Sequence, residues 1–436
     1  MSLLSRFSAA PAAGDSVRSD PGPELPVFLR RAILAVLIGL LVGAVGVAFH
    51  YGIDLATELR QEHHWLLCLL PLGGLAIVLL YRVCGMEKDQ GTNLVLVAVR
   101  EHEPMRLRTA PLIFLSTVLT HLVGGSAGRE GAALQLGASI ASKLGHRLGL
   151  EPGEGRILTV CGMAAAFSAL FGTPLTAAFF ALEVVHVGVM HYAALTAALL
   201  ASLTGFLLAG WLGVPPTAYA VSGLPALSPL SLLQMVVLGA LCAGLAVFFC
   251  FVTHGAGRLY ARILPDPRFR ALVGGALVLL LSLLDGGLAH QYYNGAGGNL
   301  VEAAITGGGA DVEPWAFLAK LLFTAVTLGA GFRGGEIVPT FACGATFGCV
   351  VAPFLGLEPS FGGAVGTVAA FCGVTNCPIS SILLAYELFG GGGLPLYALA
   401  IAVAYRLSGY SGLYSEQQIV YSKRLPHAHS LDQAEE

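Results

Sequence analysis

This 436-residue chain is short of charge. Only 11% of its residues are Asp, Glu, Lys or Arg, against 56% hydrophobic, where soluble domains carry roughly 25% charged residues. No such residue occurs anywhere in 184–257, and between 337 and 405 only Glu358 and Glu387 do. With a mean hydropathy of +0.76, these stretches exclude a water-soluble fold and match the ~20 apolar residues that cross a bilayer. The net charge of −3 leaves no basic face for nucleic acid. The nine cysteines form no CxxC pair and have no histidine at ligand spacing, which excludes a metal or disulfide framework and leaves small buried hydrophobes. A G-x4-GK[ST] loop is also missing, so nothing here binds a nucleotide as motor, and the chain calls for no cofactor.

What is present is a polytopic all-α pattern. Apolar segments recur near 32–49, 65–81, 109–123, 131–147, 157–182, 184–211, 230–252, 271–284, 315–331, 337–357, 362–386 and 392–405. Several are too short or too interrupted to cross alone. The first 26 residues read as a polar tail and not a signal peptide. Arg6, Arg18, Arg30 and Arg31 before the first span favour a cytoplasmic N-terminus, and Lys423 with Arg424 hints at the same side for the C-terminus. One plan occurs twice: at a single shared offset Arg129 pairs with Arg333, Gly131 with Gly335, Pro174 with Pro378 and Glu183 with Glu387. Paired interrupted segments in two halves point to a midplane binding site made by broken helices.

Glycine clusters mark where that site lies. In Gly124-Gly-Ser126-Ala-Gly128-Arg129-Glu130-Gly131 the glycines permit close approach, and the helix that follows offers unpaired N–H groups to an anion. Glu130 fits as a carboxylate that occupies such a site and leaves when protonated; the alternative is a helix cap or an Arg129 partner. In the second half, Arg333-Gly-Gly335-Glu336-Ile337-Val338-Pro339 again delivers glycines, a carboxylate and a helix start. Glu336 is either paired with Arg333 or used for protons. Glu183 and Glu387, ending matching helices, read as architectural. Tyr414 is an interfacial aromatic or a hydroxyl donor. The Gly124-to-Gly128 segment also matches the G-x-S-x-G elbow of serine hydrolases, which requires a preceding strand and a delivered histidine; a buried Gly-Ser turn is the plainer reading.

Together these segments resemble the CLC anion transporter family, whose loops read roughly GSGIP, GREGP and GxFxP with a tyrosine near the end. The counterparts are Gly91-Thr92-Asn93-Leu94-Val95, Gly128-Arg-Glu-Gly-Ala132, Gly335-Glu336-Ile337-Val338-Pro339 and Tyr414, so the resemblance covers about residues 30 to 422. It implies an inverted-topology repeat with many tilted and re-entrant helices. It also implies a homodimer with one pore per subunit, in a bacterial inner membrane, and transport instead of enzyme chemistry. The expected layout is tails at 1–26 and 423–436 around a transmembrane domain at 27–422, with repeats at about 27–212 and 230–422.

By the same resemblance Glu130 is the gating and proton-transfer glutamate. Thr92, Asn93, Arg129, Gly131, Glu336, Ile337, Val338 and Tyr414 form the anion site. Glu336 in place of an apolar residue, and Val184 where a second relay glutamate is usual, resemble the fluoride/proton antiporter branch. A chloride/proton exchanger and a passive channel of the same fold are the alternatives. Fluoride is small, hard and strongly hydrated, so its site must replace water with close donors, for which Thr92, Asn93, Tyr414 and a protonated Glu336 qualify.

Overall fold

Proline opens much of this fold, because its missing N–H costs nothing in a helix's first turn and its φ is already helical. Pro152, Pro174, Pro229, Pro267, Pro359 and Pro378 each begin a helix. A computed structural model describes residues 24–87, 89–101 and 105–423; the expected tails, with Arg6, Arg18 and Arg424, lie almost wholly outside them. The described chain forms two octets of helices. The first comprises α1 (Glu24–Glu62), α2 (Leu70–Val83), α3 (Thr92–Glu101), α4 (Thr109–Leu122), α5 (Glu130–Arg147), α6 (Pro152–Phe171), α7 (Pro174–Glu183) and α8 (Leu195–Trp211). The second comprises α9 (Pro229–Ile263), α10 (Pro267–Leu284), α11 (Gly298–Ile305), α12 (Ala316–Gly329), α13 (Ile337–Val351), α14 (Pro359–Thr375), α15 (Pro378–Phe389) and α16 (Leu394–Leu407).

Among the described residues, seven helical stretches are long and apolar enough to cross a membrane. At 39 and 35 residues, α1 and α9 are roughly 58 and 52 Å long, well beyond a ~30 Å hydrocarbon layer, so they must tilt. With 10 and 12 residues, α7 and α15 reach only about half-way. The sequence pattern merges each with its predecessor; the structure breaks 157–182 at Gly172 (φ +74°) and 362–386 at Asn376 (φ +59°), left-handed positions that glycine and asparagine tolerate. The pattern also misses α3 and α11, short helices that emerge from polar, glycine-rich loops.

Each octet packs around its long helix: α1 against α4, α6 and α8, and α9 against α12, α14 and α16. The octets meet where α2 packs on α10 and α7 on α15. Helices α4, α5 and α6 begin one constant interval before α12, α13 and α14, and Gly128 stands that same interval before Gly335. These two glycines pair with each other in an antiparallel bridge, N–H to carbonyl at 2.7 and 2.8 Å. Equivalent residues that pair antiparallel lie on a two-fold axis, as an inverted repeat requires. The sequence offset is correct for α7 and α15, but α6 has 20 residues and α14 has 17, so Arg129 with Arg333 and Gly131 with Gly335 are not structural equivalents.

The two architectural glutamates interlock the halves. The Glu387 carboxylate accepts from Leu175 N and Thr176 N, both at 2.8 Å, at the start of α7. Glu183 accepts from Ile379 N at 3.2 Å, Ser380 N at 2.9 Å and the Ser380 hydroxyl at the start of α15. Each closes the orphan N–H groups of the other's helix with charge-assisted bonds. After α16 the chain returns to the first half, where β2 (Gln418–Ile419) pairs parallel with β1 (His186–Val187). Lys423 is buried and donates to Asn376 Oδ1 and Tyr405 O.

Candidate functional site

Three helix starts converge beside the Gly128–Gly335 bridge. A Cβ added to Gly335 would stand 2.7 Å from Gly131 N and 3.4 Å from Glu130 N, and one on Gly131 would meet Thr92 Oγ1 at 3.1 Å and Gly335 Cα at 3.3 Å. Only glycine allows α3, α5 and α13 to aim their first turns at one spot. Each contributes N–H groups with no intrahelical partner and the positive end of its dipole. Gly131, Ile337 and Val338 head these turns and are buried.

Glu130 sits on this spot with 0% exposure. Its Oε2 accepts from Arg129 N at 3.1 Å and the Val338 N–H also faces its carboxylate, while Oε1 is buried without a hydrogen-bond partner. The Arg129 guanidinium approaches Glu130 only to 3.9 Å; it turns to His50 Nδ1 at 2.9 Å and Asp54 Oδ1 at 3.3 Å, so the simple Arg129 partnership is not what holds Glu130. The Arg333–Glu336 contact is absent as well. Arg333 lies over the Tyr81 ring at 4.2 Å and reaches Asp89 O and Oδ1 at 3.4 to 3.7 Å. Glu336, at the N-cap of α13, makes no side-chain cap, and its carboxylate has no hydrogen bond or ion pair among the described residues.

The remaining expected residues separate into two groups. Thr92 Oγ1 is within 3.4 Å of Gly131 O and accepts from Gln135 Nε2 at 3.3 Å. Gln135, one turn beyond Gly131, was not anticipated, although a lone amide in the run Gly131-Ala-Ala-Leu-Gln135 is a readable signal. Asn93 Oδ1 accepts from Glu416 N at 3.3 Å, tying α3 to the segment that carries Tyr414. Tyr414 is 5% exposed with its hydroxyl buried and partnerless, which rules out the interfacial-belt reading.

Two clefts approach these groups from opposite sides. One, of about 450 Å³, reaches Glu130 and Val338 past the end of α1 and the connection into α9 at Tyr219. The other, of about 390 Å³, reaches Tyr414 beside the C-terminal half of α9, past His254 and Gln417.

Ser126 does not form a nucleophile elbow. Helix α4 precedes it where a strand is needed, and it is fully buried. Its Oγ lies 3.0 Å from Thr324 Oγ1 and accepts from Lys320 Nζ at 2.9 Å. That ammonium spends its other hydrogens on Tyr293 O and Gly295 O, so it is a donor and not a base. His121 turns back to Thr117 O at 2.9 Å. The cysteines are free and mostly buried, and no metal-holding cluster occurs among the described residues.

A family profile described as voltage gated chloride channel matches residues 72–409. A chloride/fluoride channel protein of Pseudomonas syringae pv. tomato is 34% identical over 407 residues, covering 92% of this chain and 88% of that protein. An H(+)/Cl(−) exchange transporter of Vibrio cholerae is 26% identical over 388 residues, 81% of each. Among solved structures, a CLC-type fluoride/proton antiporter superposes with a TM-score of 0.86 at 34% identity, covering 90% of this chain and 98% of that one. A slow cyanobacterial Cl−/H+ antiporter follows at 0.74 and 20% identity, covering 87% and 94%, and speaks for the fold alone.

Proposed function

Because this chain belongs to the voltage gated chloride channel (CLC) family, we propose that it is a fluoride/proton antiporter that exports fluoride across a bacterial inner membrane. One observation carries the reading. A buried carboxylate with an open oxygen, Glu130, occupies converging helix starts that would otherwise bind an anion, between two clefts from opposite sides. Similarity to proteins named for fluoride supports the choice of ion.

In this mechanism the ionised Glu130 competes with fluoride for the N–H groups at the starts of α5 and α13. A proton entering at its open oxygen neutralises it, weakens its hold on Val338 N–H and lets the side chain swing out. Fluoride then takes the vacated place, so each exchange of occupant is tied to a proton. Stripping fluoride of water needs short donors, supplied by the Thr92 and Tyr414 hydroxyls and the N–H groups of Gly131, Ile337 and Val338. A protonated Glu336 adds a donor whose short reach disfavours the larger chloride. Arg129 and Asn93 position the site: the first orders the mouth of the Glu130 cleft through His50 and Asp54, the second holds the Tyr414 segment. The working unit is one transmembrane domain at 27–422 with repeats at about 27–212 and 230–422, assembled as a homodimer in the bilayer.

The test is purified protein in liposomes, read with fluoride and chloride electrodes under a pH gradient. Fluoride efflux exceeds chloride efflux by at least about tenfold, roughly 1.4 kcal/mol between barriers. Equal fluxes would assign a chloride/proton exchanger, and anion flux that moves no protons would assign a passive channel.

A further inference from the structure

Arg60, near the end of α1, is 2% exposed, and its Nε and Nη1 are buried with no hydrogen-bond partner. An unpaired cation inside a membrane protein is costly unless something compensates it. Among the described residues no carboxylate forms an ion pair or hydrogen bond with it. The guanidinium lies against Gly295, where an added Cβ would be 3.2 Å from Nη2, and it lines the same cleft as Glu130. Two carbonyls of the neighbouring loop, Tyr293 O and Gly295 O, are taken by Lys320 at 3.0 and 2.8 Å, and Gly124 O beside it is taken by Asn294 Nδ2 at 2.7 Å. Donors are left over where the loop runs into the next helix. Gly297 (φ +100°) is the N-cap of α11, whose first N–H groups, those of Gly298 and Asn299, have no intrahelical acceptor; both residues line the cleft. His121 completes the lining at 1% exposure. Its Nδ1 faces Thr117 O and so donates, which makes the partnerless Nε2 an acceptor.

We propose that Arg60, the start of α11 and His121 form a second anion site in this cleft, which holds fluoride with part of its water shell between the central site and solution. Arg60 and the α11 N–H groups contact the ion, and His121 Nε2 accepts from one of its waters. A strongly hydrated ion thereby gains or loses water in two stages instead of one. Of the carboxylates at this cleft, Asp54 is engaged by Arg129 and His50, Glu130 belongs to the central site, and Glu58 is exposed at the rim, where it weakens capture.

This inference takes its ion from the antiporter reading but is testable apart from it. In vesicles selected for one orientation, fluoride is titrated on each side in turn for wild type, Arg60→Gln, Arg60→Lys and Glu58→Gln. Arg60→Gln raises half-saturation about tenfold on the cleft side alone, with the proton-to-fluoride ratio kept, and Arg60→Lys recovers most of the loss. Glu58→Gln, a change at an exposed position, shifts the same constant about twofold the other way, so the site stays testable even if Arg60→Gln fails to fold. An unchanged constant on the cleft side, or an equal rise on both sides, overturns the second site. If wild type moves chloride and not fluoride, the fluoride reading fails and the same titration with chloride still decides on Arg60.

Discussion

At the scale of single residues, the two carboxylates of the proposed site differ in what surrounds them. Glu130 has one oxygen engaged and one open, so it can act both as a surrogate anion and as a proton carrier. Glu130→Gln keeps its size and hydrogen bonding but cannot titrate; proton uptake driven by a fluoride gradient falls to the level of empty liposomes, whatever the anion flux does. Uphill proton movement at the wild-type ratio would place the proton route elsewhere, with Glu336 next. Glu336 has no partner to release, so Glu336→Gln leaves the fold intact and acts on the ion. The fluoride-to-chloride flux ratio drops by about tenfold, on the order of 1.4 kcal/mol, while an unchanged ratio and turnover would make the carboxylate structural. Both residues were legible as candidates, because a carboxylate between glycines in an apolar chain is rare and expensive. Their partners were not, since Arg129 and Arg333, each within three positions of one of them, turn to Asp54 and Asp89 instead.

At the scale of helices, short elements in pairs do what a single span cannot. Helices α7 and α15 leave orphan N–H groups inside the membrane, where water is not available to satisfy them, and each is capped by the glutamate ending the other. Glu183→Ala removes the acceptor for two N–H groups and the Ser380 hydroxyl. It costs about 3 kcal/mol, read as a lower midpoint of thermal aggregation in detergent, and Glu387→Ala behaves alike because it strips the equivalent helix. A midpoint unchanged in both would mean that the caps are dispensable. Glycine sets the spacing of the neighbouring pairs. Gly137 meets Gly162 between α5 and α6, and Gly344 and Gly348 meet Gly366 and Gly362 between α13 and α14, so closely that an added Cβ would overlap the facing carbonyl. Such small-residue crossings bring membrane helices into backbone contact, and they hold α5 and α13, two of the three helices that start at the proposed site.

At the scale of the molecule, the described surface carries large apolar side chains: Trp211 on α8 is 82% exposed, Phe251 on α9 is 67% and Leu284 at the end of α10 is 75%. Lipid or a second copy must cover them. Cross-linking in native membranes captures a dimer, as the family resemblance implies. A preparation that transports at every dilution while remaining monomeric would remove the dimer and leave transport untouched.

The sequence by itself determined the class of molecule, the doubled plan and the glycine loops whose helix starts meet. Those properties are sums over neighbouring residues: hydropathy over a span, glycine over a loop, a motif occurring twice. The tertiary structure alone decided which oxygen of Glu130 stays open, that Tyr414 turns inward, that Asn93 holds Glu416 and that Arg60 reaches the cleft of Glu130. These depend on groups far apart in the chain brought within hydrogen-bond reach, and an interaction that falls off over a few ångströms leaves no trace in the local pattern of either partner.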